Sequence, residues 1–235
     1  MSIGQFSAFY KLVCGLHLTA DANDFSGHGY NGTPSNMTYV GDAGIIGGAG
    51  AQFNGSSSKI YMNNAVSTTY ITRNSYSMAA LVKLPSSAPS TQPIFARGIV
   101  LVDGYYYGTG LILYSNQAQF VRNIGASTNY AVSAPYTFES SKKYLIGLTV
   151  NKTSTVASIY IYPLESKGRA IGSGMTPNAI VMYSSPYDQG MNIGANLRNT
   201  SNKYSSISMN EFLIVDAILP ESWFSNYAAL LRGFR

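Results

Sequence analysis

The chain has 235 residues, of which 46% are hydrophobic, 13% aromatic and only 11% charged, with a formal net charge of +5. An average globular chain is about a quarter charged, so Tyr, Ser, Asn, Gly and Thr supply the polarity here, and its surface interacts through hydroxyls, amides and rings. Lys and Arg are scattered from Lys11 to Arg235 with no run of three, which predicts no nucleic-acid partner, because a phosphate-binding groove needs clustered cations.

In chain order, Met1 to Phe6 has no basic segment leading into an apolar core, and no apolar run reaches membrane-spanning length. Neither secretion nor membrane insertion is expected. A first strand is predicted over Tyr10 to Leu18, where Leu12, Cys14, Leu16 and Leu18 take alternate positions. Cys14 is the only cysteine. It reads as a small core residue and leaves no intramolecular disulfide or cysteine-rich zinc site.

Two glycine- and asparagine-rich clusters follow, Asp24 to Thr33 and Gly47 to Gly55. Such residues reach backbone angles that others avoid, so the clusters mark tight turns between strands. Further strands are predicted over Lys59 to Met62, Ser75 to Leu84, Pro93 to Ile99, Leu111 to Ser115, Ala118 to Arg122, Lys143 to Val150, Ala157 to Pro163 and Ile207 to Val215. The alternation of Met78, Ala80, Val82 and Leu84, and of Tyr144, Ile146, Leu148 and Val150, gives each strand a buried face. Leu84 to Thr91 reads as a surface loop. Only the tail reads as helix, with Pro220 at its first position and Trp223, Tyr227, Leu230 and Leu231 on one packing face before Gly233. Many short strands and one terminal helix predict an all-β sandwich or barrel.

The acids are too few and too scattered for catalysis. No Glu-x-Asp-x-x-Glu strand occurs, Glu211 and Asp216 fall on opposite faces of one strand by parity, and His17 and His28 lie in no nucleophile motif. The chain is expected not to be an enzyme.

Four ordered segments resemble the concanavalin A-like laminin-G/pentraxin superfamily. They are the Asp24-x-Ser-Gly-x-Gly-Tyr-Asn-Gly-Thr turn, the Gly-Gly-Ala-x-Ala-Gln-Phe-Asn-Gly turn at 47 to 55, the strand Ser75 to Leu84, and the strand Met209 to Val215 followed by Leu219-Pro-Glu. The resemblance spans roughly residues 10 to 232. It implies one domain over residues 1–235: a single concanavalin A-like jelly-roll sandwich of two curved antiparallel sheets, with one short C-terminal helix. It also implies a calcium site at Asp24, Asn210 and Glu211, in which Asn210 stands where an aspartate is usual and one ligand charge is lost.

Sugar binding needs an aromatic platform flanked by amides. Tyr105, Tyr106 and Tyr107 offer the rings; Asn116, Asn192, Asn196 and Arg198 offer the polar groups. Without an expected signal peptide or disulfide, the chain resembles stand-alone domains of tailed-phage virion proteins, which implies a non-catalytic, phage-type virion-surface protein, made in a host cytoplasm, that binds cell-surface polysaccharide as an adhesion module. Such domains gain avidity as homo-oligomers. Two alternatives stay open: a capsid or tail decoration protein contacting neighbouring virion proteins, and a polysaccharide-degrading glycosidase or lyase.

Overall fold

The computed structural model describes residues 11–41, 48–62, 75–87, 91–102, 105–125, 129–175, 190–196 and 202–233, without the side chains of 98–102, 105–107, 123–125, 129–130 and 175. The fold is an all-β jelly roll of two antiparallel sheets with one C-terminal helix. The first sheet runs β13 (Ala170–Met175), β12 (Val156–Pro163), β11 (Lys143–Asn151), β6 (Tyr76–Lys83), β17 (Ser208–Val215), β4 (Gly50–Gln52) and β3 (Thr38–Val40), with β1 (Leu12–His17) also paired to β17. The second runs β10 (Asn129–Pro135), β9 (Gln117–Gly125), β8 (Tyr105–Tyr114), β7 (Thr91–Val102), β14 (Met191–Ile193), β5 (Lys59–Met62) and β2 (Gly32–Ser35). A two-strand ribbon joins β15 (Ala195–Asn196) to β16 (Lys203–Tyr204).

The alternation predicted for β6 and β11 sorts their residues into two layers. Tyr76, Met78, Ala80 and Val82, with Tyr144, Ile146, Leu148 and Val150, join the core between the sheets. Ala79, Leu81 and Leu145 face away and meet the helix α1 (Glu221–Gly233) through Trp223, Phe224, Tyr227, Ala228 and Leu231. In β17 both Met209 and Phe212 reach the inner core, which strict period two forbids. A bulge at Asn210 supplies the missing residue and turns Glu211 to the helix side. The bulge in β1 between Leu12 and Cys14 likewise moves Leu12 out of its expected core row and against the helix cluster. Cys14 is buried in the core as expected.

The strands that the sequence pattern did not predict are mostly short or at edges. β2 carries Pro34 and is the last strand of its sheet, where a missing N–H costs no ladder bond. β13 is glycine-rich because it crosses against β10: a Cβ on Gly172 would lie 2.1 Å from the Ser133 carbonyl oxygen. Tyr105 to Tyr107 begin strand β8.

Candidate functional site

The glycine-rich turn after β1 is closed by one carboxylate. Asp24 Oδ1 accepts the N–H groups of Gly15 and Ser26, both at 2.9 Å, and Oδ2 accepts the Tyr30 N–H at 2.9 Å and the Ser26 hydroxyl at 2.8 Å. The Asp24 N–H in turn donates to Asn31 Oδ1 at 2.8 Å. Burial alone would raise the Asp24 carboxyl; the donors of Gly15, Ser26 and Tyr30 together outweigh it and hold the group below its ordinary value.

A depressed folded-state pKa adds stability that is complete above the unfolded-state value of about 3.9 and disappears as pH falls through the folded one. Asp24→Asn is therefore expected to flatten the acid limb of the stability curve, read as the urea midpoint from about pH 6 to about pH 2. An acid limb as steep in the variant as in the parent would refute this role.

Glu211 is buried; one oxygen accepts the Tyr227 hydroxyl of α1 and the other lies 3.1 Å from His17 Nδ1. His17 itself is half-exposed and stacks on Phe25 with ring centroids 4.0 Å apart. Asn210 donates from Nδ2 to the Ala49 carbonyl at 2.9 Å, which fixes the bulge. A calcium ion takes about six to eight oxygen ligands. Here the oxygens of Asp24 face N–H and O–H donors, those of Glu211 hold a histidine and the helix, and Asn210 presents a donor to the chain. The three residues do not fit a shared calcium cage in this arrangement. Among the described residues no group of three or more His, Cys, Asp or Glu converges.

The residues expected to bind sugar are dispersed. Tyr105 to Tyr107 open β8, opposite Val102 to Val100 of β7, whereas exposed Asn116 sits in the turn beyond the strand's other end. At about 3.3 Å per residue, roughly 30 Å separates Tyr106 from Asn116, so one small ligand cannot touch both. Asn192 is in β14, opposite Ala96 and Tyr61, and Asn196 is in β15; both are buried, with Oδ1 lacking a hydrogen-bond partner. Arg198 lies outside the described residues.

The sequence reading missed a polar row inside the sandwich. Phe95, Leu111 and Phe120 lie in register across β7, β8 and β9 on the core face, and two residues further along stand Arg97, Thr109 and Arg122. Met191 of β14 is the partner of Arg97. Exposure is 1% at Arg97, 1% at Thr109 and 2% at Arg122. The signal was present: the alternation Ala118, Phe120, Arg122 puts the arginine on the apolar face. Burial lowers the Arg122 guanidinium from its ordinary value, with Tyr76 opposing that shift, and burial raises the Tyr76 phenol.

No family model and no curated protein sequence matches the chain. Solved structures do. A structure of botulinum neurotoxin type C, described for dependence upon interaction with two ganglioside molecules, aligns with all of this chain and 53% of its own at TM-score 0.62 and 14% identity. The binding domain of botulinum neurotoxin DC in complex with SialylT aligns over 95% and 51% at TM-score 0.56 and 13% identity. Trypanosoma rangeli sialidase in complex with sialic acid aligns over 92% and 32% at TM-score 0.59 and 18% identity. The chain thus spans about half the length of the neurotoxin chains and a third of the sialidase. At these identities the likeness is one of fold, a β-sandwich. No helix among the described residues is long and apolar enough to cross a membrane.

Proposed function

We propose that this chain is a non-catalytic carbohydrate-binding module that recognises cell-surface polysaccharide. The observation that carries the reading is the alignment of the entire chain with a neurotoxin structure described for ganglioside interaction, on a chain whose polarity is amide, hydroxyl and tyrosine rather than charge. The roles of four described acids support a non-catalytic reading: Asp24 clasps a turn, Glu211 anchors a helix, and Glu165 and Glu221 pair with Lys142 and Arg169.

The contact surface we assign lies on the second sheet, where Tyr105, Tyr106 and Tyr107 start β8; Asn192 of β14 and Asn196 of the β15–β16 ribbon are buried beneath the surface. The setting we infer is a phage-type virion surface, with several copies acting together, because weak single-site sugar binding gains from multivalency. Decoration of the particle through contacts with neighbouring virion proteins is the second reading, supported by the same uncharged, tyrosine-rich composition.

The test is retention of the purified protein on a panel of bacterial surface polysaccharides, with and without a chelator, while reducing ends are measured. Retention without cleavage is the expected result, and Tyr106→Ala is expected to weaken it about tenfold, the equivalent of ~1.4 kcal/mol. Release of reducing ends would overturn the non-catalytic reading. Absence of retention throughout, with stable incorporation into particles, would replace adhesion by decoration.

A further inference from the structure

We infer that Arg122, with Thr109 and Arg97 beside it, forms an internal site for a small oxyanion, a carboxylate or an inorganic phosphate-like group, at the end of the sandwich interior.

Arg122 is 2% exposed, yet its Nε and Nη1 have no hydrogen-bond partner. A guanidinium stays charged at any pH the fold experiences, so it cannot escape burial by losing a proton. Buried charges are paired or coordinated, because isolating one costs many kcal/mol. Water would satisfy the donors but would not neutralise the charge. The only buried acid among the described residues is Glu211, and it is committed to His17 and Tyr227 beneath the helix, on the outer side of the other sheet.

Among the described residues the neighbours of Arg122 bring no acid to it. The Thr109 hydroxyl donates to the Val121 carbonyl at 3.1 Å, Arg97 adds a second cation in the same row, and Tyr76, 1% exposed on the facing sheet, contributes a phenol. Arg122 and Arg97 stand one strand apart with Thr109 between them, and the unpartnered Nε and Nη1 of Arg122 are the donors left for a ligand. Planar N–H donors of this kind match carboxylate and phosphate oxygens. This inference does not depend on the carbohydrate reading; the site and the sugar surface can each exist without the other.

The test compares thermal unfolding of the full chain and of Arg122→Met in titrations with sodium phosphate, sodium glucuronate and, as an uncharged control, glucose, at constant ionic strength. A ligand bound only by the folded state raises the midpoint saturably. The expected rise for the parent is about 5 to 10 °C at a hundredfold excess over the dissociation constant, absent in Arg122→Met and with glucose.

Should Arg122→Met not fold, Arg122→Lys keeps the charge but loses the planar fork, and its half-saturation is expected at least tenfold higher. A response to glucuronate alone assigns the site to an acidic sugar, and a response to phosphate alone assigns it to a free inorganic anion; either carries the inference. Parallel curves for parent and variant, which general salt effects would give, or a flat parent curve, overturn it. Loss of polysaccharide retention with the anion response intact would count against the carbohydrate reading only.

Discussion

Phe224→Ala is expected to cost about 3–5 kcal/mol and lower the unfolding midpoint by roughly 10 °C or more. The ring is fully buried. It sits on Gly147 in the middle of β11, where an added Cβ would come within 2.5 Å of it. It also stacks on Tyr160 with centroids 4.7 Å apart and meets Trp223 edge-on at 5.1 Å. Glycine in a strand interior gives up side-chain packing and backbone entropy. Here the missing side chain is the socket into which the helix inserts its aromatic residue.

Truncating Phe224 leaves a hole that flat sheet backbone cannot close. Filling the socket from the other side, with Gly147→Ala, should loosen the same contact by pushing the ring out. Both changes are read by urea or thermal unfolding. A loss below about 1 kcal/mol for Phe224→Ala, the range of substitutions outside packed cores, would mean that α1 is not docked through this residue.

That helix was legible in the sequence because three independent signals agree: Pro220 at the start, one aromatic face, and Gly233 at the end. The central strands β6, β11 and β12 were legible for a similar reason, since their alternation is long enough to outweigh chance. Legibility fails where a single residue shifts the phase. Asn210 looks like any polar strand residue, yet its bulge decides that Glu211 points to α1, so the acid that the laminin-G resemblance places in a metal site becomes the anchor of Tyr227.

The candidate sugar residues illustrate a second limit. Composition can single out Tyr105 to Tyr107 and Asn116, but only the continuity of β8 reveals that they occupy opposite ends of one strand. Arg97 and Arg122 were visible as arginines and invisible as a pair, because nothing local announces that β7, β8 and β9 are neighbours with their polar residues in register.

Gly194→Ala is expected to be the other severe substitution, and its cost should divide into two separable parts. Gly194 joins β14 to β15 at φ 74°, its N–H donates to the Ile94 carbonyl at 2.9 Å, and its carbonyl accepts from the Ser205 N–H at 2.8 Å, so the residue cannot rotate to a commoner angle without losing both bonds. Left-handed backbone costs a side-chain-bearing residue about 1–2 kcal/mol. A Cβ here would also lie 2.1 Å from the buried Phe53 ring, and overpacking of that kind adds about 1–3 kcal/mol.

The same substitution in a Phe53→Leu background keeps the strain and relieves most of the collision, so the loss should fall to about 1–2 kcal/mol, the difference being a coupling energy between neighbours. Strict additivity of the two changes would show that the ring is not the obstacle.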